Sequence, residues 1–507
     1  MSEVRKSWVK VAAFDTLEEN IPKAVKLDDT PLILLRIADG VRAFAGKCPH
    51  KGAPMEKGVV CSLTNFTHAL VCPWHKAVFS VENGRRIAPP ALDPLERYEA
   101  MVRGGDVYVS VKPKALPQPT PMRQHEHVAI AGAGAAALAA CVTLRESGFE
   151  GRITMISPEE RKPYDRTALS KSTLAAAPED IEIPPLRDEN WYTEHRVDLV
   201  HDKIVRFDYE TRTLELKKGD AITAEHVLLA TGSAAKQLDI PGIGFEGVYT
   251  LRSAADALAI AGQLGDKVAA VIIGSGFIGM EAAAALRKRG VGVTVVSRTE
   301  FPFEKQFGPD IASSLRRLHE DHGTAFIPKR NVVKIRGKGR VDWVELDDGT
   351  RLTASVVLVG AGAEPELHYI DGLPRNPRNG GLDVDHHMSL GNDVFAAGDI
   401  ASVPFGEKRY RIEHWRTAQS QGQIAARAML GLPVEELTTP YFWTQQYDQK
   451  LEWVGWPGED YDHIEIDGDV DNFKFIARLE KKGKLVGVIG SKHPKEMGRI
   501  AVRFDEA

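Results

Sequence analysis

A pattern of strand, glycine turn, helix and second strand occurs twice in this 507-residue chain. The two copies read HVAIAGAGAAALAACVTLRESGFEGRITMIS and KVAAVIIGSGFIGMEAAAALRKRGVGVTVVS, and their first glycines, Gly132 and Gly274, are 142 residues apart. Each copy has an Ala-rich helix with a glycine, Gly148 or Gly290, near its end. This repeat predicts two nucleotide-binding units built on parallel sheets.

The small residues of each turn have the spacing that a bound dinucleotide requires. They are Gly132, Gly134 and Ala137 in the first copy and Gly274, Gly276 and Gly279 in the second. The first two positions let the turn close and let a pyrophosphate approach the backbone, and the third lets the helix pack on its strand. The helix N-terminus then faces the phosphates. Because each turn follows a strand and opens a helix, a simple loop explains the pattern less well.

Composition excludes several classes of protein. With 65 Lys and Arg against 70 Asp and Glu, the net charge of −5 argues against nucleic acid as a partner. Four cysteines are too few for a disulfide scaffold, which predicts a reducing, cytoplasmic location. The N-terminus has no signal-like apolar segment, so we expect no export. The apolar stretch at 128–144 is interpreted as a glycine turn and helix rather than a membrane span.

A second pattern lies in CPHKGAPMEKGVVCSLTNFTHALVCPWH, residues 48–75. It contains two clamps, Cys48-x-His50 and Cys72-x-x-His75. A structural zinc, an iron–sulfur cluster and a chance meeting of four residues are the three explanations. Zinc fingers pair two cysteines first and two histidines later, whereas each clamp here supplies one of each. The mixed arrangement favours a [2Fe–2S] cluster with thiolates on one iron and imidazoles on the other.

Both clamps, with Pro49 and the Pro73-Trp74 pair, resemble the Rieske family motif. The resemblance implies the following metal ligands: thiolates from Cys48 and Cys72 on one iron, and imidazoles from His50 and His75 on the other. Ala53 and Trp74 stand where the high-potential respiratory members have an additional disulfide. The resemblance is therefore to ferredoxin-type Rieske domains, with a potential toward the lower end of about −150 to +300 mV. Cys61 and Cys141 are interpreted as plain buried residues.

Two features depart from the Rieske pattern. The 21 residues between His50 and Cys72 exceed the usual spacing, and we interpret the extra SLTNFTHA as a loop extension. Lys76 stands where a glycine usually follows the second histidine, which predicts altered hydrogen bonding around the cluster.

The remaining motifs fall in a recognisable order. They are PYDR at 163–166, LSK at 169–171, ATG at 230–232, AAGDI at 396–400, EHWRTAQSQG at 413–422 and PYFWTQQYD at 440–448. With the two glycine turns, they resemble the flavin-dependent pyridine-nucleotide reductases, in the branch of oxygenase-coupled ferredoxin reductases and apoptosis-inducing-factor-like proteins. The resemblance implies FAD in the first unit and NADH or NADPH in the second.

That resemblance also implies roles for individual residues. Gly132, Gly134 and Arg166 would contact the FAD pyrophosphate region, with Thr231 and Gly232 in the same site, and Asp399 would bind the ribityl chain. Lys171 and Glu281 would form a catalytic pair near the flavin N5 edge, and Trp415 would lie by the isoalloxazine. The alternatives are a solvated surface pair for Lys171–Glu281 and a core position for Trp415.

An acid usually ends the second strand of each unit and binds a ribose hydroxyl. In the first unit Ser157 occupies that place, and Glu159 or Glu160 could substitute. In the second unit Ser297 and Arg298 replace the acid, and this pair would favour the 2′-phosphate of NADPH by hydrogen bond and charge. The alternative is that Arg298 is a solvated charge and that Glu300 serves NADH.

The predicted architecture is a multi-domain chain with an all-β domain, two α/β Rossmann-like dinucleotide-binding domains and a small α+β domain. Its parts are a Rieske domain (1–112), a Pro-rich linker (113–126), an FAD-binding domain (127–250 and 376–435), an NAD(P)H-binding domain (251–375) and a C-terminal domain (436–507).

The combined prediction is an NAD(P)H-dependent flavoprotein oxidoreductase. The reductase part has no Cys-x4-Cys or Cys-x2-Cys, which excludes disulfide reduction and leaves the attached cluster as the outlet for electrons. They would pass on to a small acceptor or an acceptor protein such as an oxygenase component or a cytochrome. A homodimer is a further expectation. Two alternatives stay open: a slow redox-sensing flavoprotein, or a reductase whose Rieske domain serves only for docking.

Overall fold

Two antiparallel sheets make up the N-terminal part of the chain. The structure is a computed structural model that describes residues 8–38, 40–63, 66–265, 268–435, 437–456 and 460–504. Strands β1 to β10 are Trp8–Ala13, Lys23–Leu27, Thr30–Ile37, Gly40–Ala45, Val59–Leu63, Phe66–Val71, Val78–Ser80, Arg86–Ala88, Arg97–Arg103 and Asp106–Lys114. One sheet has the order β1-β10-β9-β4-β3-β2, and β5 to β8 form the other. The all-β prediction for this part is confirmed.

The interval between the two clamps is a hairpin, not the loop extension that its length suggested. β5 and β6 pair antiparallel, with Val60 opposite Leu70 and Cys61 opposite Ala69, while residues 64 and 65 lie outside the described part. Cys61 and Ala69 are buried in one apolar cluster. Cross-strand pairs that bury one face favour strands over a loop, and the spacing alone did not reveal them.

The first glycine turn opens a parallel sheet. This region contains α1 (Ala135–Glu146), α2 (Trp191–Glu194) and strands β11 to β18, which are His127–Ala131, Arg152–Ser157, Val197–His201, Ile204–Asp208, Thr213–Leu216, Ile222–Thr223, His226–Leu229 and Ser233–Ala235. β11 lies between β12 and β17, parallel to both. Nearly all of α1 is buried, which explains its Ala-rich sequence.

The second glycine turn opens a second parallel sheet. Its helices are α3 (Ala254–Ala261), α4 (Phe277–Lys288) and α5 (Glu304–Asp321). Strands β19 to β27 are Val248–Tyr249, Ala269–Ile273, Gly292–Val296, Ala325–Ile327, Val332–Gly337, Val341–Leu346, Arg351–Thr353, Val356–Val359 and Ala363–Pro365. Five of them form a sheet in the order β19-β26-β20-β21-β22, which buries the near-continuous apolar strands expected of parallel sheets.

The chain then returns to the first sheet. Strands β28 to β32 are Leu382–Asp383, Ser389–Gly391, Val394–Ala396, Ala401–Phe405 and Lys408–Arg411, and α6 (Trp415–Met429) follows. The completed first sheet has the order β13-β12-β11-β17-β30-β29. α6 packs tightly on α1: a Cβ added at Gly422 would lie only 2.2 Å from the Ala136 carbonyl oxygen, so the contact requires glycine at that position.

An antiparallel sheet with one helix closes the fold. Strands β33 to β37 are Tyr441–Gln446, Gln449–Gly455, His463–Asp469, Lys474–Lys481 and Lys484–Ser491, and α7 is Pro494–Ile500. The sheet order is β33-β34-β37-β36-β35, which agrees with the predicted α+β character. In the described part of the chain, no helix is long and apolar enough to cross a membrane.

Candidate functional site

A cavity of about 750 Å³ lies where the first glycine turn, α4 and β33 meet. Cofactor clefts of roughly 300–1,000 Å³ are typical of small-molecule sites. The predicted site residues that line it are Gly132, Gly134, Glu159, Arg166, Lys171, Thr231, Gly232, Glu281, Asp399 and Trp415. Ala137 lies fully buried on α1. The structure therefore brings residues from 132 to 415 to one cavity.

The first glycine turn has the shape that a bound pyrophosphate needs. Gly132 has a φ of +117°, and a Cβ there would lie 2.3 Å from the Ala230 carbonyl oxygen. A Cβ at Gly134 would meet nothing within 4 Å. The first glycine therefore allows close chain packing, and the second leaves open space in front of the helix N-terminus.

Glu159 and Arg166 lie together at the cavity wall. The Arg166 guanidinium donates to the Glu159 carboxylate and, over 2.8 Å, to the Tyr164 hydroxyl. Tyr164 in turn donates to Glu159 over 2.7 Å. Glu159 is thus held two residues beyond Ser157, which ends β12, at the wall of the cavity.

Asp399 is also held by cavity residues. Its carboxylate accepts hydrogen bonds from Ser233 Oγ (2.7 Å) and from the Arg252 guanidinium (2.9 Å). Thr231 Oγ1, nearby in the same wall, donates to the Glu366 carbonyl oxygen. The first unit thus presents a carboxylate and hydroxyls, groups that suit a polyol chain.

Lys171 and Glu281 form the predicted ion pair, with 2.8 Å between Lys171 Nζ and a Glu281 carboxylate oxygen. Glu281 is buried on α4 and also accepts from Ser170 Oγ (2.6 Å) and Thr444 Oγ1 (2.8 Å). Lys171 lies on the short π-helical turn Leu169–Thr173 and donates to the Thr167 carbonyl oxygen. Because both residues line the cavity and Glu281 is buried, a solvated surface pair does not describe this contact.

Aromatic residues that sequence reasoning did not assign also line the cavity. They are Phe277, His414, Tyr441, Phe442 and Trp443. The ring of Phe442 packs against those of Phe277 and His414. Burial lowers the pKa of His414 to about 4, and its Nδ1 has no hydrogen-bond partner among the described residues. The signal was present in PYFWTQQYD, but its strand register was needed to place each ring.

These observations fit a bound flavin nucleotide. The open glycine turn leaves room for its phosphates, and the aromatic wall offers a flat apolar surface for its ring. The buried His414 nitrogen, which has no partner among the described residues, offers a polar contact.

The second glycine turn reproduces the first. Gly274 has a φ of +106°, and a Cβ there would lie 2.4 Å from the Gly360 carbonyl oxygen. Gly276 faces open space, and a Cβ at Gly279 would lie 2.4 Å from the Gly274 carbonyl oxygen, which shows close helix-to-strand packing. The backbone N–H of Gly274 donates to Val296, as that of Gly132 does to Ile156, both over 2.8 Å.

The residues after β21 differ in whether their side chains are free to bind a nucleotide. Ser297 is buried, and its hydroxyl donates to the Thr299 carbonyl oxygen over 2.7 Å. Arg298 is exposed, without an ion pair in the described part of the chain. Glu300 is held by Lys329 (2.8 Å) and Arg316 (3.3 Å), and the Lys329 hydrogen bond lowers the pKa of its carboxyl. Neither Ser297 nor Arg298 lines the cavity.

The two Cys/His clamps form a pair of similar turns. In Cys48–Ala53 and in Cys72–Ala77, the cysteine N–H donates to the carbonyl oxygen five residues later, over 2.8 Å in each case. Both cysteines are buried and both histidines are half-buried. The turns converge at one end of the N-terminal domain.

The four side chains meet in two pairs. Cys48 and Cys72 are buried in one cluster, and the ring centroids of His50 and His75 are 4.9 Å apart. In the residues described, no group of three or more His, Cys, Asp or Glu side chains is placed to hold one metal ion. Two separate donor pairs fit a two-iron cluster better than a single zinc ion.

Electrostatics leave these donors ready to ligate. Burial lowers the pKa of His50 to about 4 and that of His75 further, so both imidazoles are neutral near pH 7. The hydrogen bond between the thiols raises the pKa of Cys48 and lowers that of Cys72 to about 7. Cys61 and Cys141 are buried free thiols, as expected.

The cluster site adjoins the cavity directly. The ring of His75 packs against that of Trp443, with 4.5 Å between centroids, and Trp443 lines the cavity. Beside it, Lys76 forms a 2.7 Å ion pair with Glu452 of β34. One aromatic side chain therefore separates a predicted iron ligand from the predicted flavin cavity.

Comparisons with known proteins agree with both sites. The family described as pyridine nucleotide-disulphide oxidoreductase matches residues 126–422, and the Rieske [2Fe-2S] domain matches residues 7–99. Human "Apoptosis-inducing factor 3" is 31% identical over 506 residues, which covers 96% of this chain and 82% of that protein.

A second relative and a solved structure cover the reductase part. The "Benzene 1,2-dioxygenase system ferredoxin--NAD(+) reductase subunit" of Pseudomonas putida is 33% identical over 62% of this chain and 78% of its own. The crystal structure of the ferredoxin reductase for the CYP199A2 system from Rhodopseudomonas palustris has a TM-score of 0.68 and 32% identity, covering 72% of this chain and 91% of that one. The chain therefore belongs to the pyridine nucleotide-disulphide oxidoreductase family, as an FAD- and NAD(P)H-dependent flavoprotein with a Rieske [2Fe–2S] domain ahead of its reductase domains.

Proposed function

We propose that this enzyme moves electrons from NAD(P)H through FAD to its own Rieske cluster, and from there to an outside acceptor. When bound, FAD would take two electrons from the nucleotide as a hydride and release them one at a time. A [2Fe–2S] cluster accepts one electron at a time. The contact between His75 and Trp443, 4.5 Å between ring centroids, carries this proposal.

Trp443 lies between the two sites. Its ring lines the cavity on one side and packs against the His75 ring on the other. His50 packs edge-on against His75, so both predicted imidazole ligands lie behind this one aromatic contact. We therefore propose Trp443 as the residue through which electronic coupling passes.

The Lys171–Glu281 pair would set the electrostatics of the cavity. Three donors fix the Glu281 carboxylate, and Lys171 Nζ is fixed by that carboxylate and a carbonyl oxygen. Preorganised charges of this kind favour a reaction in which charge develops at a nearby ring. We propose that the pair binds and orients the flavin edge that accepts electrons.

For the nicotinamide nucleotide, we propose acceptance of NADPH through Arg298; Ser297 would assist only by turning its hydroxyl away from the Thr299 carbonyl oxygen. Two cations already neutralise Glu300, which leaves it less available to a ribose, while Arg298 is exposed beside the second glycine turn. An exposed guanidinium binds a 2′-phosphate well. The Pseudomonas putida relative is named for NAD(+), so NADH and NADPH are both compared in the titration below.

For the acceptor, we propose a protein of the oxygenase or cytochrome class. Relatives are named as ferredoxin reductases that serve dioxygenase systems. In this chain a cluster domain already lies against the cavity wall, through the contact of His75 with Trp443. The acceptor would then receive electrons from the cluster rather than from the flavin.

The test is an anaerobic titration with NADPH and, separately, NADH, followed by visible spectra and low-temperature EPR. We expect a Rieske-type EPR signal to grow as the flavin bleaches, with NADPH at least as effective as NADH. If the flavin bleaches while an intact cluster stays oxidised, the domain serves for docking and the proposal is wrong. A stable reduced flavin–nucleotide complex with little turnover would instead favour the sensor alternative.

A variant sharpens this test. Trp443→Leu is expected to slow cluster reduction roughly tenfold or more, because the reacting groups lose their intervening contact. Because Trp443 also lines the cavity, flavin content and the rate of flavin reduction are measured first, and cluster reduction is compared per bound, reduced flavin. Trp343→Leu is the matched control, since Trp343 lies on β24 and does not line the cavity. Equal cluster reduction in both variants would remove Trp443 from the route.

A further inference from the structure

The two cluster turns differ at one corresponding position. They read CPHKGA (Cys48–Ala53) and CPWHKA (Cys72–Ala77), and the fifth residue of each has a left-handed backbone: Gly52 at φ +71° and Lys76 at φ +57°. Glycine adopts this conformation freely, whereas a residue with a side chain adopts it at an energetic cost. The structure of the turn therefore favours glycine at position 76, and the lysine side chain must compensate for the strain.

The Lys76 side chain is fully buried, and two partners hold its ammonium. Its ammonium donates to the Pro73 carbonyl oxygen over 2.8 Å and pairs with the Glu452 carboxylate over 2.7 Å. Lys76 is 0 % exposed and Glu452 is 4 % exposed. A buried charge is stable only with a counter-charge and hydrogen bonds, and each of these residues supplies that need for the other.

Glu452 belongs to a group on the C-terminal sheet that holds the second cluster turn. Tyr441 Oη and Lys450 Nζ donate to the Glu452 carboxylate over 2.7 and 3.0 Å. Burial alone would raise the pKa of Glu452, but Lys76 and Lys450 hold it below its usual value, so the carboxylate is charged. Lys450 also donates to the Trp74 carbonyl oxygen. The C-terminal domain therefore holds the turn through both its backbone and its lysine.

Other ion pairs between the N-terminal domain and the reductase are half-exposed. Lys51 pairs with Asp165 over 2.7 Å, but Lys51 is 46 % exposed. The Arg86–Glu146 and Arg187–Asp93 pairs likewise each have one exposed partner. Exposed pairs contribute little because water and salt screen them. Within the described residues, Lys76–Glu452 is the pair across this interface with both side chains buried.

We propose that Lys76 is a positioning residue that holds the cluster-bearing turn on Glu452, so that the Rieske domain stays docked at the flavin cavity instead of moving on its linker. This inference rests on the proposed electron route. The ion pair is adjacent in sequence to His75, so it keeps that ring on Trp443. The outside acceptor must then come to a cluster that remains in place.

Lys76→Gly tests the proposal with little damage to the turn. It restores the residue that the backbone favours, and it leaves Glu452 paired with Lys450 and Tyr441. Cluster loading, measured by iron and sulfide content and by EPR, should be unchanged, and so should flavin reduction by NADPH. Flavin-to-cluster transfer, measured by stopped flow, should slow about tenfold or more because the cluster is no longer held in place.

A second variant and a control separate positioning from damage to the cluster. Glu452→Gln removes the counter-charge from the opposite domain and changes no residue of the cluster turn, and with full cluster loading it should slow the same step. Lys51→Ala removes a half-exposed interdomain pair and should leave that step within about twofold. If both Lys76→Gly and Glu452→Gln transfer electrons at the wild-type rate with full clusters, the proposal is wrong.

Domain position is measured independently of electron transfer. Limited proteolysis within 113–126 and small-angle X-ray scattering should show a more accessible linker and a larger radius of gyration in both variants than in wild type. Unchanged proteolysis and scattering would overturn the positioning role. If wild-type flavin bleaches but an intact cluster stays oxidised, the electron route fails, while these two measurements still decide whether Lys76 holds the domain.

Discussion

At the scale of single residues, the buried carboxylate of Glu281 organises the cavity wall. It lies on α4 of the second nucleotide-binding unit, yet its partners come from two other segments: Ser170 and Lys171 from the first unit and Thr444 from β33. A buried carboxylate needs such partners to stay charged. One side chain therefore connects both nucleotide units and the C-terminal sheet at the wall of the cavity.

Lys171→Ala is expected to slow flavin reduction by NAD(P)H roughly tenfold, because a preorganised positive charge is lost from the cavity. The fold should persist, since Ser170 and Thr444 still donate to Glu281. Stopped-flow bleaching of the flavin measures the rate. Lys162→Ala is the control, because its pair with Glu189 is exposed. An unchanged rate would remove the Lys171–Glu281 pair from the mechanism.

At the scale of elements, each glycine turn assigns separate tasks to its glycines. Gly132 and Gly274 have left-handed backbones and lie against a neighbouring carbonyl oxygen, whereas Gly134 and Gly276 face open space. We therefore expect the first kind to be needed for folding and the second only when a nucleotide approaches. Substitution with alanine should separate these tasks.

For the second turn, Gly276→Ala should leave thermal stability unchanged and raise the KM for NAD(P)H about tenfold, because only the nucleotide meets the added methyl group. Gly274→Ala should lower stability by about 1–3 kcal/mol from backbone strain, with further loss from the 2.4 Å contact with Gly360. Thermal unfolding and steady-state kinetics measure both effects. Gly244→Ala, at an open position outside the turn, is the control. Equal KM values for Gly276→Ala and wild type would contradict the role of that glycine.

At the scale of the whole molecule, the N-terminal domain contacts α6 of the first nucleotide unit and α7 of the C-terminal domain. Arg416 of α6 donates to the Pro89 carbonyl oxygen over 2.8 Å, and α7 packs against β5, where Gly498 approaches Val59. The C-terminal sheet also contacts the second nucleotide unit, since His319 of α5 bonds to Gln446 of β33 over 2.7 Å. Buried contacts of this kind join the domains, and the one made by His319 makes stability depend on pH.

His319 predicts a loss of stability in acid. Burial lowers its folded-state pKa to about 4, against about 6.5 unfolded, so the unfolded chain binds the proton first as pH falls. Stability should be complete above pH 6.5 and should decline by up to about 3 kcal/mol between pH 6.5 and 4 through this residue. His319→Gln should flatten the dependence of Tm on pH, whereas the exposed His463→Gln should not. Parallel pH profiles for wild type and His319→Gln would contradict this assignment.

The sequence predicted the motifs well and their mutual placement poorly. The glycine turns, the Cys/His clamps and the Lys171–Glu281 pair were found from spacing and resemblance. In the structure the first turn and the Lys171–Glu281 pair line one cavity, and the histidines of the two clamps meet beside it. The hairpin β5–β6 was mistaken for a loop because its strand pairing is invisible in the spacing of ligands. The domain boundaries and the roles of individual site residues stay predictions.

Local chemistry explains what the sequence determined by itself. A glycine turn before a helix, or a Cys/His pair within four residues, depends on backbone and ligand geometry over a few residues. Neighbouring residues in the sequence are therefore enough to predict such a site. Contacts between residues hundreds of positions apart were decided only by the tertiary structure. Trp443 contacts His75, and Glu452 pairs with Lys76, because the N-terminal and C-terminal domains pack against each other. Burial at this contact removes both charged groups from water, so each one needs the other as its counter-charge.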